Sequence, residues 1–538
     1  MPISFPPQLL RAAPADDETS LVLELVFDTL WRAPDVQTML DQAVDGASPR
    51  VEAVFATEGD RFFFVTFPEG LSDGQEPAAF AFARALKAEI GASDVNVLLN
   101  DSIYGALDID AEVESAVFSC STPKDMTLPF GWVHPKINTP AAWQKSRGAG
   151  VTVAVIDTGF SSHSELSGIL SGKRQLNLVE GGNDATDRFT SGFLKHPGHG
   201  TLVASVVASR GDAAPDGTTT RPGAVSGAAP QAEILPIRAI SSVINRKQKT
   251  LPAAIDHAIA EGADVIVMAQ GGPSRVASTE EVLRRARAAG IVVCCAAGNC
   301  WGPVVFPAAY APLGLCTAIA ALEPDMKSPW AKSSRGPEVT LSAPGEQVWG
   351  AVKRSTADSD HGITASQGTT LATSLTTGVA ACWVAHHGGR RALKTKADAL
   401  GTHVQALWNA AVTHGLRPPD TWGPGTGLGA GVLDAGSALD APLQTIAPEG
   451  VAETEAPAQT TAQIALAHLT SYAPEAASEF EGEMAEYAGE ILWLSFRARA
   501  QSRLAEATES PVRADRASPE LSAVLSARPA LATALGQG

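Results

Sequence analysis

No apolar run in this chain is long enough to cross a bilayer as a helix, which excludes a helical membrane protein. Its first residues, Met1-Pro2-Ile3-Ser4-Phe5-Pro6-Pro7, lack a basic stretch followed by an apolar one and a small-residue cleavage site. Nothing directs classical export, so the expected location is cytoplasmic, with non-classical secretion the other route. Cysteine is scarce, six in 538 residues, and Cys120, Cys294, Cys295, Cys300, Cys316 and Cys382 follow no zinc-like spacing. They read as reduced core thiols, and no metal site is expected. Charged residues are few as well, 18% against 45% aliphatic and aromatic, so the chain reads as globular and too long for one ordinary domain.

What charge there is lies toward the two ends. Residues 1–125 carry 22 acidic and 7 basic side chains and residues 443–538 carry 13 and 6, so of the total −18 the ends hold −15 and −7 and the middle is +4. Acidic flanks on a mildly basic centre favour docking between them, or else serve solubility alone. They argue against nucleic acid as a partner.

Three regions follow from the residue pattern. In residues 1–125, Leu21 to Trp31 reads as a strand or short helix and Ala33 to Val44 as a helix. Val51 to Phe55 and Arg61 to Phe67 read as strands joined by a turn, Pro77 to Ile90 as a helix followed by Gly91, and Val95 to Leu99 as a strand. Together they make a small α+β unit. Residues 126–442 alternate apolar strands (Val151 to Ile156, Glu233 to Ile237, Val265 to Met268, Ile291 to Ala296) with helices (Thr201 to Ala208, Leu251 to Glu261, Thr279 to Ala289). That alternation specifies an α/β fold with a doubly wound parallel sheet. Residues 443–538 begin with a linker, Ile446 to Thr461, and continue as one helix, Pro474 to Glu506; the last thirty residues read as poorly ordered.

Four motifs carry chemistry. Val151-Thr152-Val153-Ala154-Val155-Ile156-Asp157 puts a carboxylate at the end of a buried strand, and Gly198-His199-Gly200 puts an imidazole at the opening of a helix. An imidazole near a buried carboxylate is held in one tautomer as a general base. Ala296-Ala297-Gly298-Asn299 ends a further strand with an amide able to donate to an oxyanion. Ser366-Gln367-Gly368-Thr369-Thr370-Leu371-Ala372 opens a long apolar helix with hydroxyls, where free backbone amides stabilise developing negative charge.

In this order the motifs resemble the subtilases, whose triad runs Asp, His, Ser along the chain. The resemblance covers roughly Trp132 to Leu439 and takes in Gly227-Ala228-Ala229-Pro230, Phe306-Pro307-Ala308, Ser333-Ser334-Arg335-Gly336-Pro337 and Ser342-Ala343-Pro344-Gly345. It implies a subtilisin-like fold and a polypeptide substrate. By resemblance Asp157 orients the base His199, Asn299 helps form the oxyanion hole, and Gly271 and Gly272 pair with an extended substrate. The family often binds calcium, but no oxygen cage is recognisable here, so no cofactor is named. By size, position and charge, residues 1–125 resemble the inhibitory propeptides of subtilases, which makes the chain's own N-terminal domain an intramolecular inhibitor that places Asp101 to Met126 in the cleft.

The departures are specific. The position that resemblance assigns to the serine nucleophile holds Thr370, the second histidine of the usual His-Gly-Thr-His is Leu202, and Ser-Leu-Gly-Gly has become Ala269-Gln270-Gly271-Gly272. Thr370 keeps a hydroxyl, but its methyl stiffens χ1 and crowds attack. Ser374 lies a helical turn deeper and Ser366 precedes the helix, so neither substitutes. Three readings follow: a weak or latent peptidase made as an autoinhibited precursor, a pseudoprotease that binds peptides or proteins, and a serine deliberately replaced to trap an unprocessed form. The intact Asp157, His199 and Asn299 favour peptidase chemistry.

Overall fold

The computed structural model of this chain describes residues 2–9, 20–56, 58–68, 74–99, 128–190, 195–211, 225–245, 248–299, 302–423, 425–446, 460–508 and 516–537. Cys120, Cys300 and the segment Asp101 to Met126 expected in the cleft lie outside the described residues.

Near the N-terminus, Leu21–Trp31 (β1) is a strand, not a helix, because its apolar residues serve both faces in alternation. Leu21, Leu23, Leu25 and Phe27 pack with Phe63, Val65 and Phe67 under helices Ala33–Ala43 (α1) and Glu76–Ile90 (α2). Val22 and Val26 point the other way, with Phe62 and Phe64, onto Val276 and Ala277 of the central region. With Arg50–Ala53 (β2), Asp60–Phe67 (β3) and Asp94–Leu98 (β4) the sheet order is β2-β3-β1-β4, antiparallel throughout. This is a β-α-β-β-α-β unit with both crossover helices on one face.

The central region is built on seven parallel strands: Thr152–Asp157 (β5), Leu176–Asn177 (β6), Glu233–Arg238 (β7), Val265–Met268 (β8), Val292–Ala296 (β9), Thr317–Leu322 (β10) and Leu341–Pro344 (β11), in the order β11-β10-β9-β8-β5-β7-β6. The strands alternate between two cores. Ala154, Ile156, Ile266, Met268, Val293 and Cys295 face helices Leu251–Ala260 (α4) and Ala277–Ala288 (α5), whereas Val153, Val155, Val265, Val267, Val292 and Cys294 face helices His199–Ala208 (α3) and Thr369–His386 (α6). Helix α6 is buried from Thr369 to Val384, so its apolar residues form no stripe and surround it on all sides. The hydroxyls of Ser374, Thr376 and Thr377 donate to carbonyls one turn back, at 2.8, 2.8 and 2.7 Å, which satisfies them inside that core. Cys294, Cys295, Cys316 and Cys382 are free and buried, and burial pushes the Cys294 and Cys382 thiols up to about 12.

The C-terminal region departs from expectation in three places. Thr461–Tyr472 (α7) is a helix that starts at the last residue read as linker and fills a stretch for which no element was expected; Thr460 caps Gln463 N and the Gln463 side chain reaches back to Thr460 N, a reciprocal cap whose spacing is visible in the sequence. The single helix expected from Pro474 to Glu506 is interrupted: Pro474–Ser478 ends, the chain turns through Gly482 at φ +62°, and Ala488–Thr508 (α8) begins after a short 3₁₀ segment. A left-handed residue cannot continue an α-helix, and the turn lets Phe480 and Met484 bury. The last thirty residues, read as poorly ordered, include helices Pro519–Leu525 (α9) and Pro529–Ala534 (α10), held by buried Leu521, Leu525, Leu531 and Leu535. No helix among the described residues is long and apolar enough to cross a membrane.

Candidate active site

The chemistry-bearing residues gather at the carboxyl end of the sheet, where an α/β fold leaves strand ends and helix starts facing one another. Strand β5 ends on Asp157, 1% exposed, and its carboxylate accepts from Thr158 N at 2.7 Å. His199 opens α3, and its Nδ1 lies 2.8 and 3.0 Å from the two Asp157 oxygens. A carboxylate there holds the proton on Nδ1 and leaves Nε2 as the acceptor. This approach needs Gly200, since a Cβ on it would collide with the Gly159 carbonyl.

Thr370 is the second residue of α6 and is 5% exposed; its Oγ1 lies 3.3 Å from His199 Nε2. That is longer than a tight O–H···N contact, a spacing common before substrate closes a site. Asn299 sits beside it. Its Oδ1 accepts from Thr369 N at 2.9 Å and Thr369 Oγ1 at 2.8 Å, and because a backbone amide can only donate, the amide orientation is fixed and Nδ2 is the end left to donate. A Cβ on Gly368 would lie 2.9 Å from Nδ2, so glycine keeps that donor clear at the helix N-terminus. Ser374 is excluded by its bond to the Thr370 carbonyl, and Ser366 is buried in strand Ile363–Ser366. An imidazole nitrogen, a hydroxyl and a side-chain amide thus gather at the start of α6, groups of the kinds that acyl transfer uses.

Gly271 and Gly272 follow β8 at the edge of this site, but their backbone groups are engaged by the chain itself. Gly271 N donates to Val243 O at 3.1 Å and Gly271 O accepts from Asn245 N at 2.9 Å, while Gly272 exchanges bonds of 3.0 and 2.9 Å with Phe306. Gln270, one of the departures noted above, ties the same segments: its Oε1 accepts from Asn245 Nδ2 at 2.8 Å and its Nε2 donates to Ile156 O at 3.2 Å.

Sequence reasoning missed the frame that joins the two halves of the Asp-His pair. Asp187, 3% exposed, accepts from Gly198 N at 2.7 Å and from Thr158 Oγ1 at 2.9 Å, so one carboxylate connects the residue after Asp157 to the residue before His199. Thr158 Oγ1 in turn accepts from Gly200 N at 3.0 Å. Arg238, 1% exposed at the end of β7, lies 3.6 Å from Asp187 and also holds Glu180. An arginine closing an apolar strand was the available signal for a buried partner; Asp187 belongs to no motif.

Beyond the site, Glu24 of β1 reaches the start of α5, five residues after Gly272. Its carboxylate accepts from Ala277 N at 2.7 Å, Ser278 N at 2.7 Å and Ser278 Oγ at 2.6 Å. Burial pushes this carboxyl above its usual range, and the bonds from Ser278 and Ala277 oppose that rise. Among the described residues no group of three or more His, Cys, Asp or Glu side chains is placed to hold a metal ion.

The profile of the subtilase family matches residues 148–415. The chain is 34% identical to an intracellular serine protease of Paenibacillus polymyxa over 164 residues, which is 30% of this chain but only 46% of that one. It is 32% identical to subtilisin DY of Bacillus licheniformis over 261 residues, 47% of this chain and 84% of that protein. Among solved structures, MycP1 with its N-terminal propeptide removed matches at 23% identity and a TM-score of 0.44, covering 58% of this chain and 98% of that one. With 32% identity over 84% of subtilisin DY and the subtilase profile matched over residues 148–415, this chain belongs to the subtilase family.

Proposed function

We propose that the chain hydrolyses peptide bonds with Thr370 as nucleophile. His199 Nε2 takes the Thr370 proton as Oγ1 attacks the carbonyl carbon, Asp157 stabilises the imidazolium, and Asn299 Nδ2 donates to the resulting oxyanion. The imidazolium then protonates the leaving amine, and water, deprotonated by the same ring, releases the acyl group. The observation that carries this is the continuous contact from Asp157 through His199 to Thr370, at 2.8 and 3.3 Å. Residues 1–125 restrain the enzyme as an intramolecular inhibitor, a reading supported by the seat of β1 on the start of α5 beside Gly271 and Gly272.

A second reading, a pseudoprotease that binds polypeptide without cutting it, is favoured by the Thr370 methyl and by the occupied backbone of Gly271. Hydrolysis of a casein-derived peptide library by the chain, Thr370→Ser and Thr370→Ala separates the two. The peptidase reading expects Thr370→Ser to exceed the parent and Thr370→Ala to be silent. Parent and Thr370→Ala equally inert, yet retaining the same bound peptides, would establish the binding module instead.

A further inference from the structure

The C-terminal region has no part in the chemistry above, yet it meets the N-terminal unit and the protease sheet at one buried junction. Thr461, the first residue of α7, puts its Oγ1 2.6 Å from Asp94 Oδ2 and 2.8 Å from Asn96 Oδ1 of β4, and accepts from Arg275 Nη1 at 3.0 Å. Arg275 belongs to the protease region, immediately before α5, and pairs with Glu280 at 3.0 Å and with Asp94 at 3.6 Å. Asn96 completes the loop by donating to Glu24 Oε2 at 2.9 Å. A single hydroxyl from the tail therefore links the carboxylate that caps α5 to the cation that precedes it.

A second set of contacts lies one helix away. Arg84 of α2 pairs with Glu490 of α8 at 2.8 Å, and Glu490, 1% exposed, also accepts from Ser518 Oγ at 3.0 Å. Phe80 of the same helix meets Trp493 with ring centroids 5.6 Å apart. The tail is anchored to the protease independently, through Phe496 beside Phe306 at 6.0 Å and His468 3.7 Å from Glu338. A buried carboxylate paired with the Arg84 guanidinium and an aromatic ring facing the same helix give both orientation and apolar area.

From these contacts we infer that the C-terminal helices form the second half of the binding surface for the N-terminal unit: residues 460–508 and 516–537 together with the start of α5 make a composite receptor whose partner is this chain's own β-α-β-β-α-β unit. Severing the connection between that unit and the protease would therefore leave it bound, and its release would be set by the tail. Buried, hydrogen-bonded charge contacts act mainly on dissociation, which is where this surface exerts control.

The inference extends the inhibitor reading but is tested by binding, so a chain that cuts nothing still answers it. A recognition site for a sequence-specific protease is inserted between residues 112 and 113 of the full chain, the connection is cut, and loss of the N-terminal fragment from the immobilised remainder is followed in time. The expected result is slow release from the parent and release at least tenfold faster from Thr461→Val and from Glu490→Gln, with the thermal midpoint of the remainder preserved. Should Glu490→Gln fail to fold, Thr461→Val, which removes one hydroxyl and keeps the shape, decides alone. Release from the parent as fast as from the variants, or equal retention in all, would overturn the inference.

Discussion

The two faces of the seven-stranded sheet are closed in different ways. The face carrying Val153, Val155, Val265 and Cys294 is covered by α3 and α6, helices contributed by the same region that supplies the strands. The opposite face, carrying Ile156, Ile266, Met268 and Cys295, is covered by α4 and α5 and joins one continuous core with the N-terminal unit and the C-terminal helices. Reactive groups are delivered by the first arrangement, in which helix starts meet strand ends over short distances. The proposed control falls to the second, in which segments separated by more than 360 residues meet through Thr461, Asp94 and Asn96. The proposed chemistry thus sits on the self-contained face, and the proposed restraint on the face that the N-terminal unit and the C-terminal helices complete.

The strongest way to break this division is to disable the first face alone. In a Thr370→Ser background, Asp157→Asn is expected to lower kcat by roughly 10⁴-fold, because His199 loses its tautomer, while leaving the N-terminal unit docked. Steady-state hydrolysis paired with hydrogen exchange of β1 checks both halves of that statement. The converse change is Phe496→Ala. This ring is 1% exposed and stacks on His468 at 4.8 Å, so its loss is expected to cost about 3–5 kcal/mol, loosening the C-terminal helices while the Asp157–His199 contact persists. Denaturant unfolding with exchange of α7 and α8 would reveal an undivided molecule if both faces opened together. Asn299→Ala should lower kcat by about 10²–10³-fold with KM little changed, since its Nδ2 faces charge that develops only in the transition state.

The smallest effect separates the faces by pH. Burial lowers His134, beside Trp143 under the first face, to about 4, and lowers His468 under the second, where Glu338 raises it in part and Arg499 lowers it further. Both rings lie below the ordinary value of 6.5 that they regain when unfolded. Unfolding therefore takes up protons as pH falls below about 6.5, and stability declines on acidification toward 4. The thermal midpoint should drop between pH 7 and pH 5, and His468→Gln should reduce that drop for the C-terminal helices only.

The same contrast governs what could be read from the sequence. The first face was legible: Val151 to Ile156 is an unbroken apolar run ending in Asp157, glycines frame His199, and the helix after Gly368 is apolar all round. Each of these is a local pattern with a local cause. Asp187 was not legible, because its partners Thr158 and Gly198 are distant in sequence and a lone Asp in a polar stretch carries no period. The C-terminal helices were read only in part. Helices α9 and α10 have seven and six residues, too short to be stable alone, and their order comes from docking Leu521, Leu525, Leu531 and Leu535 on surfaces formed elsewhere. Helix α7 was missed although Thr460 and Gln463 carry the spacing of a reciprocal cap, because the Ala- and Thr-rich stretch that ends at Thr461 masks its start.

The central claim is that Thr370 is an activated nucleophile, and its most direct test is covalent. The chain, Thr370→Ser and Thr370→Ala are treated with a fluorophosphonate, and the adduct is located by peptide mass spectrometry. The account predicts an adduct on Thr370 that forms slowly, forms faster on the serine in Thr370→Ser, and is absent from Thr370→Ala and from His199→Ala. No adduct on the parent would contradict it, and none on Thr370→Ser as well would show that the site activates no hydroxyl at this position.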